Sequence, residues 1–91
     1  MPKVLVIAQV LDPVKWEKSF TTHGELFRSY SVSKPVQYGL SGNEAAVCFE
    51  ADNLETFKKS MESKSTLEAM ERDGVKRETV KVHVLDREMK I

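Results

Sequence analysis

Val4–Tyr30 reads VLVIAQVLDPVKWEKSFTTHGELFRSY. Its first eight residues, Val4 to Leu11, form a β-branched-rich run of strand length. The run stops at Asp12-Pro13, where an aspartate suits a helix N-cap and a proline suits the first helical position. From there the apolar period changes. Trp16, Phe20, His23, Phe27 and Tyr30 are spaced four, three, four and three apart, which places all five on one helical face. A strand therefore passes into a helix whose inner stripe is four aromatic rings and one imidazole. Lys15, Lys18, Glu25 and Ser29 fall on the outer face. Gly24 is a weak point in this helix, so a kink or early stop is expected near His23.

The remaining elements follow outward from this unit. Residues 32–40 (VSKPVQYGL) read as a second strand, and Pro35, which cannot donate to a ladder, argues for an edge position. Ser41-Gly42-Asn43 is a tight turn, and residues 44–51 (EAAVCFEA) form the third strand of a hairpin. Asp52 and Glu55 have capping-box spacing at the start of a second helix with Leu54, Phe57 and Met61 on its apolar face. Ser65 and Glu68 repeat that spacing and restart a short helix, which Asp73-Gly74 ends. Residues 78–85 (ETVKVHVL) alternate, with Val80, Val82 and Val84 on one face and Lys81, His83 and Leu85 on the other. The order β-α-β-β-α-β predicts an α+β, ferredoxin-like sandwich. It has a four-stranded antiparallel sheet with helices on one face. Right-handed crossovers put strands one and three in the centre and strands two and four at the edges.

A chain of 91 residues, 41% hydrophobic and 31% charged, fits a single domain over residues 1–91. Fourteen basic and fourteen acidic residues cancel, which leaves no electrostatic footprint for nucleic acid or an anionic membrane. The apolar run at residues 4–10 is too short for a membrane span. One cysteine, Cys48, cannot form an internal disulfide and fits a reducing, cytoplasmic setting. Cys48 reads as a small buried hydrophobe.

Both central strands are apolar on both faces. Val4, Val6, Ala8 and Val10 lie on one side of the first strand, with Leu5, Ile7 and Leu11 on the other. In the third strand Ala45, Val47 and Phe49 oppose Ala46 and Cys48. One helix layer covers only one face. The other calls for a second copy packed sheet to sheet, so a homodimer through the open sheet face is expected. Gln9 is the polar exception on that face, and a buried amide there needs a partner such as Glu50 or His83.

The pattern resembles the dimeric α+β barrel superfamily, and within it the small antibiotic-biosynthesis-monooxygenase-like bacterial proteins. The resemblance rests on WEKSFTTHGELFR, on Glu50 leading into Asp52-Asn53-Leu54, and on Leu67-Glu68-Ala69-Met70-Glu71-Arg72-Asp73-Gly74-Val75. The chain differs from that pattern at Phe27, at Ser31, where a glycine is usual, and in its short second turn. The resemblance implies a dimeric α+β barrel. Its members span cofactor-free monooxygenases, lactone isomerases, haem-degrading enzymes and proteins without known activity, and fold does not decide among them.

His23 is the candidate catalytic residue. A neutral imidazole in a closed pocket is a usable general base for an acidic carbon or a phenol. The bland reading is a core-boundary histidine bonded to a backbone carbonyl. Trp16, Phe20, Phe27 and Tyr30 are candidate walls of a pocket for a flat apolar ligand, or else plain helix-to-sheet packing. Tyr38, on the second strand, is a candidate hydroxyl for a ligand carbonyl, or an edge-strand aromatic. Two distant histidines and one cysteine give no metal-site spacing, and there is no Gly-rich phosphate loop, so no cofactor or metal is implied. The sequence thus predicts a protein that binds a small apolar or aromatic molecule, with His23 as base in cofactor-independent monooxygenase or isomerase chemistry. The alternative is a non-catalytic ligand-binding regulatory module or a structural dimer.

Overall fold

A computed structural model describes residues 3–91. The strands are β1 (Lys3–Gln9), β2 (Gln37–Ser41), β3 (Glu44–Glu50) and β4 (Lys81–Leu85). They form one antiparallel sheet in the order β2-β3-β1-β4, with β1 and β3 central as the crossover argument requires. The helices are α1 (Pro13–Phe20), α2 (Gly24–Ser29), α3 (Leu54–Met61) and α4 (Lys64–Arg72). This is the α+β, ferredoxin-like architecture.

Register assigns the two faces. Val4 pairs with Phe49 and Val84, and Val6 with Val47 and Val82, so these residues share the helix-covered face. Leu5 pairs with Cys48 and His83, and Ile7 with Ala46 and Lys81, on the open face. The core gathers Val4, Val6, Val10, Val47, Phe49, Phe57 and the aromatic stripe, with Phe57 fully buried. The open-face residues Leu5, Ile7, Ala46 and Cys48 are only partly covered.

The structure moves several boundaries. The first helix divides in two at residues 21–23, where the hydroxyls of Thr21 and Thr22 donate to the Lys18 and Ser19 carbonyls and terminate α1. Gly24 then opens α2, with His23 at its N-cap. The break is one tight turn, closed by the His23 amide on the Phe20 carbonyl. It therefore leaves the aromatic stripe on a common side. β2 begins after Pro35 rather than at residue 32, because Val32 makes only an isolated bridge with Ala51.

That bridge also shifts a cap. The Asp52 amide donates to the Ser31 carbonyl, which keeps residue 52 in the sheet-like pairing. Asn53 caps α3 instead, its side chain accepting from the Thr56 amide at 3.0 Å. Ser31 tolerates a left-handed φ of 69° where its hydroxyl oxygen accepts from the Asn53 amide at 2.9 Å. Likewise Ser63, not Ser65, caps α4, since the chain turns extended at Ser63 once α3 has ended. A 3-10 turn at Arg77–Thr79 replaces the start of the fourth strand. Gln9 reaches Glu44 at 3.5 Å rather than Glu50 or His83, because Glu44 stands directly opposite it whereas Glu50 and His83 stand opposite Lys3 and Leu5, farther along β1.

Candidate functional site

The inner faces of the sheet and the helices line a partly open cavity of about 80 Å³. Trp16, Phe20, His23, Phe27 and Tyr30 all line it, so the stripe read from the sequence meets one space. Trp16 and Phe20 stack with centroids 4.6 Å apart, and Phe27 stands edge-on to Tyr30 at 5.7 Å and to Phe49 at 5.1 Å. Such tilted pairs fix ring orientation beyond simple burial. On the sheet side Val6, Ala8, Ala45 and Val47 are small, with Phe49 the one large ring, so the space opens over the small residues.

One polar cluster stands in this apolar wall. His23 Nε2 lies 2.8 Å from Asp73 Oδ2, and the two side chains are 13% and 5% exposed. Ser19 Oγ donates to the other carboxylate oxygen, Oδ1. Asp73 is the C-cap of α4, and Gly74 follows with φ +76°, the left-handed turn that ends the helix. The Leu11 amide donates to the Gly74 carbonyl at 2.9 Å and ties this turn to the end of β1. The backbone thus holds the turn that carries Asp73, and Ser19 and His23 hold its carboxylate. An ionised carboxylate only accepts, so in the neutral imidazole Nε2 carries the proton and Nδ1 keeps a lone pair.

A second polar group is made of hydroxyls. Tyr30 Oη bonds Thr66 Oγ1, and Thr66 Oγ1 also lies 2.5 Å from the Ser60 carbonyl oxygen. Both Tyr30 and Thr66 line the cavity. Burial pushes the Tyr30 phenol above its usual pKa of 10.0, partly opposed by the bond to Thr66.

Tyr38 is not among the residues lining the cavity. Its ring lies edge-on to Trp16 at 5.8 Å and to Phe20 at 5.1 Å, and its hydroxyl donates to Glu17 Oε2 at 2.7 Å. It straps edge strand β2 to α1 from outside. The bond that Glu17 accepts holds the Tyr38 phenol protonated and raises its pKa. His83 lies on the open sheet face, opposite Leu5.

Sequence reading missed Asp73, Ser19 and Thr66. Asp73 was read as a helix stop, yet an acid at the negative end of a helix dipole is electrostatically misplaced unless a partner compensates it. That misplacement was the available signal. Ser19 and Thr66 gave none, since each is one hydroxyl among many. Among the described residues no group of three or more His, Cys, Asp or Glu side chains could hold a metal ion. Nor is any helix long and apolar enough to cross a membrane.

No protein-family model matches the chain, and no curated protein matches it. Solved structures do. SnoaB from Streptomyces nogalater, a cofactor-independent oxygenase, superposes with a TM-score of 0.71 at 10% identity, over 99% of this chain and 95% of that one. A putative antibiotic biosynthesis monooxygenase from Deinococcus radiodurans gives 0.65 at 11%, over 100% and 96%. Rv0793 from Mycobacterium tuberculosis gives 0.63 at 14%, over 99% and 98%. The chain has the α+β, ferredoxin-like fold of these antibiotic-biosynthesis-monooxygenase-like structures.

Proposed function

We propose that the cavity takes up a small apolar or aromatic molecule and that His23, oriented by Asp73, removes a proton from it. The observation that carries this reading is the His23–Asp73 pair in the wall of a largely apolar cavity. Aromatic and aliphatic walls favour a flat apolar ligand by desolvation, while a few polar groups orient it. Nδ1 accepts a proton from a phenol or an acidic carbon, and the imidazolium that forms is stabilised by the Asp73 carboxylate. Asp73 remains ionised throughout.

The anion left behind is electron-rich. In the isomerase form of this chemistry it takes the proton back at another carbon. In the oxygenase form it reacts with dioxygen. At a methylene carbon one oxygen atom becomes the product carbonyl and the other leaves as water with both hydrogens, so the substrate supplies the electrons and no cofactor is consumed. The likeness to a cofactor-independent oxygenase favours the second form.

The same reading includes a homodimer. Leu5, Ile7, Ala46, Cys48 and Leu85 make the open sheet face apolar, and a second sheet is the cover that buries it symmetrically. Dioxygen uptake with candidate phenols tests the catalytic claim. Asp73→Asn keeps the shape of the side chain but loses the charge that sets the imidazole tautomer, and uptake is expected to fall by about 10²–10⁴-fold. Uptake at the wild-type rate in Asp73→Asn would remove His23 from the role of base.

A further inference from the structure

Met61, Met70 and Val80 line two spaces at once. One is the cavity of about 80 Å³ beside His23. The other is an open groove of about 820 Å³, whose further apolar lining is Phe57, Leu67, Val82 and Val84. The groove exists because the helix layer does not close over β4. Val82 pairs with the core residue Val6, yet it is 44% exposed. Residues common to both linings stand between the two spaces. Met61 comes from the end of α3, Met70 from α4, and Val80 from the residue before β4. Together they form a partition between groove and cavity.

The partly exposed residues of the cavity wall fall into two groups. His23, Leu26 and Phe27 belong to the N-cap and body of α2. Met61, Met70, Val75 and Val80 lie on the groove side. The α2 group is held in place. The Phe27 ring packs on Phe20 at 5.3 Å, Tyr30 at 5.7 Å and Phe49 at 5.1 Å, and His23 is bound to Asp73. A ring interlocked with several others moves only if they move. The groove side is different. Methionine is unbranched, with three rotatable bonds, and repacks readily. Rotation of Met61 or Met70 takes its thioether out of the partition, and the groove has open volume to receive it.

We infer that Met61 and Met70 form a gate through which small apolar molecules pass between groove and cavity. The inference rests on reading the cavity as a ligand site. The closed space is about 80 Å³, whereas a cavity of about 150 Å³ takes up benzene. The displacement that opens the gate thus also makes room inside.

The test uses xenon, an apolar probe that needs neither a hydrogen bond nor a proton transfer. Xenon NMR exchange spectroscopy gives its occupancy of the cavity and its rates of entry and exit. Met61→Ile with Met70→Ile keeps the volume but stiffens both side chains at χ1. Entry and exit are expected to slow several-fold together, with occupancy unchanged. Each single change should slow them part of the way, which keeps the test valid if the double variant does not fold. Leu26→Ile applies the same stiffening on the α2 side and should leave both rates as they are.

Wild-type rates in the methionine variants would overturn the inference. So would an equal slowing in Leu26→Ile, or a cavity that takes up no xenon. A change of occupancy with an unchanged exit rate would mean that the methionines only shape the cavity, and would overturn it too. Gated exchange without any dioxygen uptake or isomerisation would sink the catalytic reading and leave the gate standing. Dioxygen uptake with xenon exchange indifferent to the methionines would do the reverse.

Discussion

His23 and Asp73 are fifty residues apart in the chain, and their side chains meet at 2.8 Å. The contact joins the N-cap of α2 to the C-cap of α4. Each residue occupies its place for a backbone reason. His23 sits where two threonines end α1, and Asp73 sits where a left-handed glycine ends α4. The pair therefore depends on two helix ends, and changes at either should be felt at the cavity.

Ser19 is the third member of the contact. Its hydroxyl satisfies the carboxylate oxygen that His23 does not reach. Ser19→Ala leaves that oxygen unpaired in a buried setting, at an expected cost of about 1–3 kcal/mol in stability. Urea denaturation near neutral pH measures it. An unchanged midpoint would show that water replaces the hydroxyl without loss.

Gly74 fixes the turn on which Asp73 is carried. Its φ of +76° is unfavourable for any residue with a Cβ, although the nearest heavy atom to an added Cβ, Leu11 Cβ, is 3.6 Å away and leaves room. The penalty in Gly74→Ala is therefore conformational rather than steric, about 1–2 kcal/mol. Thermal unfolding gives the value, and a neutral result would mean the turn can relax out of the left-handed region.

Both tyrosines of the chain ionise above the ordinary value of 10.0, Tyr30 through burial and Tyr38 through the bond to Glu17. The unfolded chain ionises first. This contribution to stability is therefore complete below pH 10 and is lost as pH rises through the folded-state values. Tyrosinate absorbance should lag that of free tyrosine and then rise together with unfolding. A simple titration centred at the ordinary value with the fold intact would contradict both environments.

Much of this architecture was legible in the sequence, for identifiable reasons. Val4, Val6, Ala8 and Val10 read as one apolar face because β1 is central and the helices bury that face. The spacing from Trp16 to Tyr30 survived a helix break because the intervening turn kept the stripe in phase. Caps were misplaced at Asp52 and Ser65, where several capping residues stand in a row and tertiary pairing chooses among them. The partner of His23 was hidden for a different reason. A carboxylate beside a glycine reads locally as a helix stop, and only the fold shows that it faces an imidazole from another element.

The open sheet face gives a prediction about assembly. Ile7 lies on that face opposite Ala46 and Lys81, and Ile7→Lys adds a charge that a sheet-to-sheet contact cannot bury. The wild type should sediment as a dimer at micromolar concentration, and the variant as a folded monomer. A monomeric wild type would remove the dimer from the proposal.

The most direct measurement is the nitrogen NMR spectrum of the His23 imidazole at a pH where the ring is neutral. The account predicts a ring protonated at Nε2, with Nδ1 bare and facing a ligand. It also predicts that Asp73→Asn disturbs this pattern. A wild-type ring protonated at Nδ1 would mean that the lone pair points at Asp73 instead, and His23 could not serve the cavity as a base.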